Sequence, residues 1–238
     1  MVNGTVVAFD LYGTLLFTDS IAQELEKHLG SKAQSVATLW RRYQLEYTWR
    51  LNSMDLYEDF THITRNSLRH ALAESGEQLS DADSASVMEA YDCLSTFADV
   101  CPALNRVAID STIHAVVFSN GTKTMVSNSV LRSKDLAPHA SVFQDLITVD
   151  EIQQYKPSRA SYQHLADKTG KSTAQMNELW LISGNPFDIV GARSMGMQAI
   201  WIDRAGRGWQ DAAMPDLRPT VIVRSLEHIV EEIQGRRQ

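Results

Sequence analysis

The sequence predicts an α/β fold: a parallel sheet with helices on both faces, interrupted after its first strand by an inserted all-helical subdomain. Three observations predict it. Short apolar runs recur at residues 6–9, 115–118, 146–149, 179–182, 199–202 and 221–223. The first of them is continuously apolar, without the alternation of a half-exposed strand, as expected where both faces are covered. From the second run onward, helical patterns separate the runs, which is the rhythm of βα repetition. The first interval breaks that rhythm: from Phe17 to about Asp99 helix follows helix, too long a stretch for a plain crossover. The expected division is a core of residues 1–16 and 98–238 and a helical subdomain of residues 17–97.

Composition bounds the function. The chain has 238 residues, 44% hydrophobic and 21% charged, the profile of a soluble globular protein with a sizeable core. Its net charge of −7 argues against a nucleic acid partner, which needs a basic surface, but leaves room for a small anionic substrate. No apolar run approaches the roughly 20 residues of a membrane span, and the N-terminus has no signal-peptide pattern. A cytoplasmic protein with no membrane partner is expected. Cys93 and Cys101 match no metal or redox spacing and read as reduced structural thiols.

The first strand, residues 6–9, runs into Asp10, and Gly13 turns the chain soon after. Open α/β sheets place ligands at that carboxyl end. A carboxylate there is partly desolvated and needs a cation to stay ionised, although an aspartate can also simply open a turn. In the insertion, Asp19 and Ser20 open a helix that Gly30 ends. The next helix, residues 35–54, packs through Val36, Trp40, Tyr43, Tyr47, Leu51 and Met54, which recur at helical spacing. Arg41, Leu45, Thr48 and Asn52 share a separate flank of it. A cation with an aliphatic neighbour is an odd choice for plain exposure, yet a solvated arginine remains the simpler reading of the residues alone. Further helices are expected over 57–72 and 81–96, the latter introduced by Ser80.

Pro102 suits the first turn of a helix that runs to Asp110. The strand at residues 113–118 ends in Ser119-Asn120-Gly121-Thr122, turn chemistry before a helix over 123–132. After the strand near Ile147, Pro157 reads as the first helical residue, which puts Lys156 just before a helix closed by Gly170. Ser172 and Gln175 form a capping-box signal. The strand at 179–182 leads into Ser183-Gly184-Asn185-Pro186-Phe187-Asp188, and a helix follows to Gly196, its Gly191 and Ala192 permitting close packing. A strand at 199–202, a loop over 203–216 and a helix over 227–233 complete the chain.

Residues that follow successive parallel strands converge on one rim of the sheet. Here these are Asp10 and Thr14, Ser119 and Asn120, Lys156, and then Ser183, Asn185 and Asp188. Each alone has a capping or surface explanation. Four such groups on one rim point to an active site.

These residues resemble the four motifs of the haloacid dehalogenase superfamily: Asp10-Leu-Tyr-Gly-Thr14, Ser119-Asn120-Gly121, Lys156-Pro157 and the loop from Ser183 to Asp188. The insertion resembles that superfamily's helical cap, so the resemblance implies a Rossmann-like core and covers nearly the whole chain. Phosphatase members carry a second aspartate two residues after the nucleophile. Here that residue is Tyr12, which cannot serve as an acid/base at neutral pH. The fourth motif lacks the adjacent acidic pair that would hold Mg²⁺, so no metal and no cofactor are expected. Tyr12, Trp40-Arg41 with Leu45-Glu46-Tyr47-Thr48, and the Ser-x-Asn-x-x-Asp loop resemble the L-2-haloacid dehalogenases in particular.

That resemblance implies hydrolysis of short (S)-2-haloalkanoic acids to (R)-2-hydroxy acids, with a small halogenated carboxylic acid as the partner. Asp10 is then the nucleophile that forms an ester, and Lys156 and Ser183 keep it ionised. Thr14, Ser119 and Asn120 bind the substrate carboxylate or hold Asp10. Arg41, with Asn185, stabilises the halide, while Asp188 and Lys156 activate the water. Tyr12, Leu45, Phe60 and Phe187 wall the pocket, and Tyr162 supports Lys156. Arg42 stands where relatives carry glutamine, adding a charge near the halide end, and Phe187 replaces a larger tryptophan. Family members are often homodimers. The alternatives are attack on fluoroacetate or on a strained ring acid of the azetidine-2-carboxylate type, a phosphatase, and a catalytically silent binding protein.

Overall fold

The computed structural model of the protein describes residues 4–236. Its six strands, β1 (Thr5–Phe9), β2 (Ile113–Ser119), β3 (Asp145–Thr148), β4 (Leu179–Ser183), β5 (Gln198–Ile202) and β6 (Val221–Val223), coincide with the six apolar runs. All are parallel, in the order β3-β2-β1-β4-β5-β6. Val6, Val7, Ala8 and Phe9 of β1 are fully buried, as are Leu179, Leu181, Ile182 and Ser183 of β4, which is why these strands read as continuous apolar runs.

The strand order reverses direction at β1, so the crevice beyond its carboxyl end is the switch point where open sheets bind ligands. Phe9 pairs with Val117 on one side and Ile182 on the other. One residue further, the same register sets Asp10 between Phe118 and Ser183. The core helices are α5 (Val100–Ile109), α6 (Lys123–Leu131), α7 (Arg159–Lys168), α8 (Pro186–Ser194) and α9 (Ile229–Gln234). Helix α5 carries Pro102 in its first turn.

Between β1 and α5 lie the helices of the insertion, α1 (Ala22–Leu29), α2 (Ala33–Ser53), α3 (Phe60–Glu74) and α4 (Asp81–Tyr91). The chain enters and leaves this helical cap along adjacent paths. Phe17 N donates to Ser95 O (2.8 Å), Phe97 N donates to Leu15 O (3.3 Å), and Leu16 bridges Thr96 in antiparallel sense.

That crossing explains one departure from the sequence reading. Helix α4 stops at Tyr91 instead of reaching residue 96, because Ser95 and Thr96 run extended beside the entering chain. Pro157 is not the first helical residue either. The Lys156-Pro157 peptide is cis, and α7 begins two residues later, after Ser158. On α2 the buried face is wider than the aromatic stripe: Gln44 and Thr48 are fully buried, whereas Met54 is 54% exposed. No helix among the described residues is long and apolar enough to cross a membrane.

Candidate active site

Asp10 is 5% exposed, and its two oxygens stand in different surroundings. Oδ2 accepts three hydrogen bonds, from Thr14 Oγ1 (2.5 Å), Ser183 Oγ (3.1 Å) and Asn185 Nδ2 (2.7 Å). Oδ1 accepts one, from Lys156 Nζ at 2.9 Å. The donors come from the turns after β1 and β4, which approach closely because Gly184 has no side chain: a Cβ there would lie 2.5 Å from Gly13 O. Gly184 N also donates to Thr14 Oγ1 (2.9 Å), so the threonine hydroxyl is oriented to donate to Asp10.

Lys156 is 1% exposed and all three of its ammonium protons are used. Besides Asp10, Nζ donates to Asp188 Oδ2 (2.7 Å) and to Phe118 O (3.1 Å). Burial disfavours the ammonium, but the Asp10 and Asp188 carboxylates outweigh it and hold its pKa above the ordinary lysine value. One ammonium faces two carboxylates, so one negative charge stays uncompensated. Asp188, which is fully buried, bears the consequence: burial first, with Asp10 adding and Lys156 opposing, raises its pKa above the ordinary aspartate value.

Tyr162 is brought to the site, but not to Lys156. Its hydroxyl donates to Asp188 Oδ1 (2.8 Å), and burial holds the phenol well above its ordinary pKa, so it remains a donor. Ser119 and Asn120 secure the turn after β2, where Ser119 Oγ accepts from Gly121 N (3.1 Å) and Asn120 Oδ1 accepts from Lys156 N (2.9 Å).

The cap contributes Arg41. Its Nη2 donates to Tyr12 O (3.1 Å), the same carbonyl that accepts from Asn185 Nδ2 (2.9 Å). The Tyr12 ring is buried, with its centroid 5.6 Å from that of Phe60 and 5.7 Å from that of Tyr91. Phe187 meets Trp49 of α2 edge-on at 5.5 Å, and Leu45 is half-buried one turn after Arg41.

Arg42 is not brought to the site. Its side chain is 59% exposed, bonds Tyr43 Oη (2.9 Å) and lies 3.8 Å from Glu74. One residue of helix rotates the side chain by about 100°, which turns Arg42 toward α3 while Arg41 faces Tyr12. Sequence reasoning missed Gln44, Tyr91 and Tyr155. Asn52, on the Arg41 flank of α2, has no role that the sequence alone assigns. It clasps the residue before Lys156: Nδ2 donates to Tyr155 O (2.6 Å) and Oδ1 accepts from Tyr155 N (3.0 Å).

A family model for haloacid dehalogenase-like hydrolases matches residues 5–196. The chain belongs to that family. Among its relatives, an (S)-2-haloacid dehalogenase of Pseudomonas fluorescens is 31% identical over 226 residues, covering 95% of each chain. Haloacetate dehalogenase H-2 of Moraxella sp. (strain B) is 28% identical over 94% of this chain and 96% of its own. The solved L-2-haloacid dehalogenase of Xanthobacter autotrophicus with chloropropionic acid covalently bound superposes with a TM-score of 0.83. It is 25% identical and the match covers 98% of this chain and 99% of that one. Among the described residues no group of three or more His, Cys, Asp or Glu could hold a metal ion.

Proposed function

We propose that the protein is a hydrolytic dehalogenase of short (S)-2-haloalkanoic acids that works through an ester on Asp10. The observation that carries this reading is the buried cluster in which Lys156 joins Asp10 to Asp188. It holds the nucleophile beside an ammonium and places a second carboxylate, of raised pKa, in the same desolvated place. The names of the relatives agree with it, and one of the solved structures holds chloropropionic acid covalently.

Oδ1 of Asp10, with a single donor among the described residues, is the oxygen with fewer hydrogen bonds to break and attacks C2 from behind the halogen. The C–X electron pair leaves with the halide, and C2 inverts. Arg41 stands on the cap side to receive the departing charge, beside Asn185. Water then attacks Cγ of the ester, its proton passing to Asp188. Negative charge gathers on Oδ2, where Thr14, Ser183 and Asn185 already donate, the arrangement of an oxyanion hole. Collapse breaks the Cγ–Oδ1 bond, and the leaving alkoxide takes up the proton held by Asp188 and departs as the (R)-2-hydroxy acid. Asp10 is left as the acid with one oxygen from water, and release of that second water proton to solvent restores the carboxylate for the next turnover.

The test is chloride release from (S)-2-chloropropionate with EDTA present. Asp10→Asn should abolish release, and a single turnover in H₂¹⁸O should give unlabelled hydroxy acid. Absence of halide from chloro-, bromo- and fluoroacetate as well would refute the proposal. The reading retains a cytoplasmic homodimer, which sedimentation equilibrium tests for assembly.

A further inference from the structure

Arginine at a halide site is useful only if its guanidinium stands still while the charge develops, and a free arginine side chain is among the more mobile ones. Here Arg41 is backed by a fully buried amide. Gln44, one turn along α2, has no exposed surface, and each of its polar side-chain atoms is bonded. Its Oε1 accepts from Arg41 Nη1 (2.7 Å) and from Tyr91 Oη (3.0 Å), and its Nε2 donates to Thr64 Oγ1 (2.8 Å).

The amide has one allowed orientation. Arginine only donates, so the atom facing Arg41 must be the oxygen. The Thr64 hydroxyl spends its proton on Phe60 O (2.6 Å), so it accepts from the Gln44 nitrogen. Tyr91 is held in turn by its packing, with ring centroids 4.9 Å from Trp40 and 5.7 Å from Tyr12. Burial, only partly offset by Arg41, raises its pKa and keeps the hydroxyl a donor. Trp40 Nε1 closes the network on Thr64 O (2.7 Å).

We propose that Gln44, backed by Tyr91 and Thr64, is a positioning residue that fixes the Arg41 guanidinium for the departing halide. This rests on the dehalogenase reading above. The chemistry of the amide suits the task. A carboxylate at this position would orient the guanidinium as well, but would cancel its charge. A neutral carbonyl dipole orients it and leaves the charge for the halide. Gln44 Oε1 and Tyr12 O hold the two terminal nitrogens of the guanidinium, one each, so both ends of the planar group are anchored.

The experiment compares kcat and KM on (S)-2-chloropropionate and (S)-2-bromopropionate for the wild type, Gln44→Met and Tyr91→Phe. Gln44→Met keeps the length of the side chain and removes the amide. Tyr91→Phe keeps the ring and removes one bond to Oε1. Chloride is the poorer leaving group and depends more on donors aimed at it. Gln44→Met should lower kcat for the chloro substrate by about 10–100-fold, the usual effect of losing a supporting partner. The fall for the bromo substrate should be at least about threefold smaller, with KM little changed. Tyr91→Phe should shift the same ratio in the same direction by less. A folded Gln44→Met whose two substrates fall equally, or not at all, overturns the proposal, because a merely structural role lowers the active fraction without regard to halogen. If Gln44→Met does not fold, an unchanged chloro/bromo ratio in Tyr91→Phe overturns it. A wild type that releases no halide from any haloacid overturns both this inference and the function on which it rests.

Discussion

Replacing Lys156 with methionine removes the only cation among the described residues that is bonded to either buried carboxylate, and leaves the space filled. At an effective dielectric of about 20, each contact at 2.7–2.9 Å corresponds to about 6 kcal/mol of attraction, an upper limit before desolvation is charged against it. Removal of one partner from a buried pair costs about 3–5 kcal/mol in practice, and that is the expected loss near pH 8. The loss should shrink in acid. Asp188 already has a raised pKa from burial and from Asp10, and without the ammonium it rises further. A group whose folded pKa exceeds its unfolded value of about 3.9 favours folding below that value, and the contribution is lost as pH climbs through the folded pKa. The same sign holds for Lys156: its stabilisation is complete below the ordinary lysine value of 10.5 and is lost only as pH rises through its higher folded value.

Urea unfolding of Lys156→Met and wild type at pH 8 and pH 5 measures this directly, with the smaller gap expected at pH 5. Activity follows the same electrostatics. Ester hydrolysis needs Asp188 as a base, so the acid limb of steady-state halide release should move to higher pH in the variant. Equal urea midpoints for the two proteins at both pH values, with an unmoved acid limb, would refute the view that Lys156 opposes the protonation of Asp188.

Two further substitutions probe how the site is held. Gly191 packs against the ring that supports Asp188, and a Cβ there would sit 2.1 Å from Tyr162 Oη. Gly191→Ala should therefore cost about 1–3 kcal/mol in stability. It should also slow ester hydrolysis more than ester formation, so that the Asp10 ester accumulates in mass spectra; a variant with wild-type steady-state ester would count against the role given to Asp188. Asn52→Ala removes both bonds to Tyr155, a loss of about 1–2 kcal/mol. Its expected signature is a raised KM for haloacids, and an unchanged KM would show that this clasp does not hold the cap over the site.

The parts of the molecule legible in the sequence are those where burial dictates residue type. Strands covered on both faces must be apolar along their length, so residues 6–9 and 179–182 announced β1 and β4. The polar residues after them were visible because a parallel sheet delivers every strand end to one rim. What could not be read depends on which elements meet. Arg41 and Arg42 flank the same stripe, and only the packing of α2 on α3 sends one toward Tyr12 and the other toward Glu74. Gln44 carries no signal of its role, since nothing local indicates that Tyr91, 47 residues away, will donate to it. Tyr162 was expected on Lys156 and instead bonds Asp188, one more consequence of helix phase, here that of α7 against α8. The end of α4 was set by the exit path beside Leu16, a contact that no helical propensity contains.

Tyr12 changes in meaning once the backbone is considered. As a side chain it is the residue that removes a second acid from the first motif, and its hydroxyl is buried with no hydrogen-bond partner among the described residues. Burial, reinforced by Tyr91, raises its pKa, so it moves no proton near neutrality. Its carbonyl is the active part. That one oxygen accepts from Arg41 on the cap and from Asn185 in the turn after β4, while the same Asn185 nitrogen also donates to Asp10 Oδ2. In the proposed reaction the guanidinium that receives the halide and part of the oxyanion hole are thus referred to a single main-chain atom two residues from the nucleophile. The tyrosine ring, packed between Phe60 and Tyr91, holds that atom in place. A side chain that does no chemistry can in this way set the geometry of both half-reactions, through the peptide it anchors.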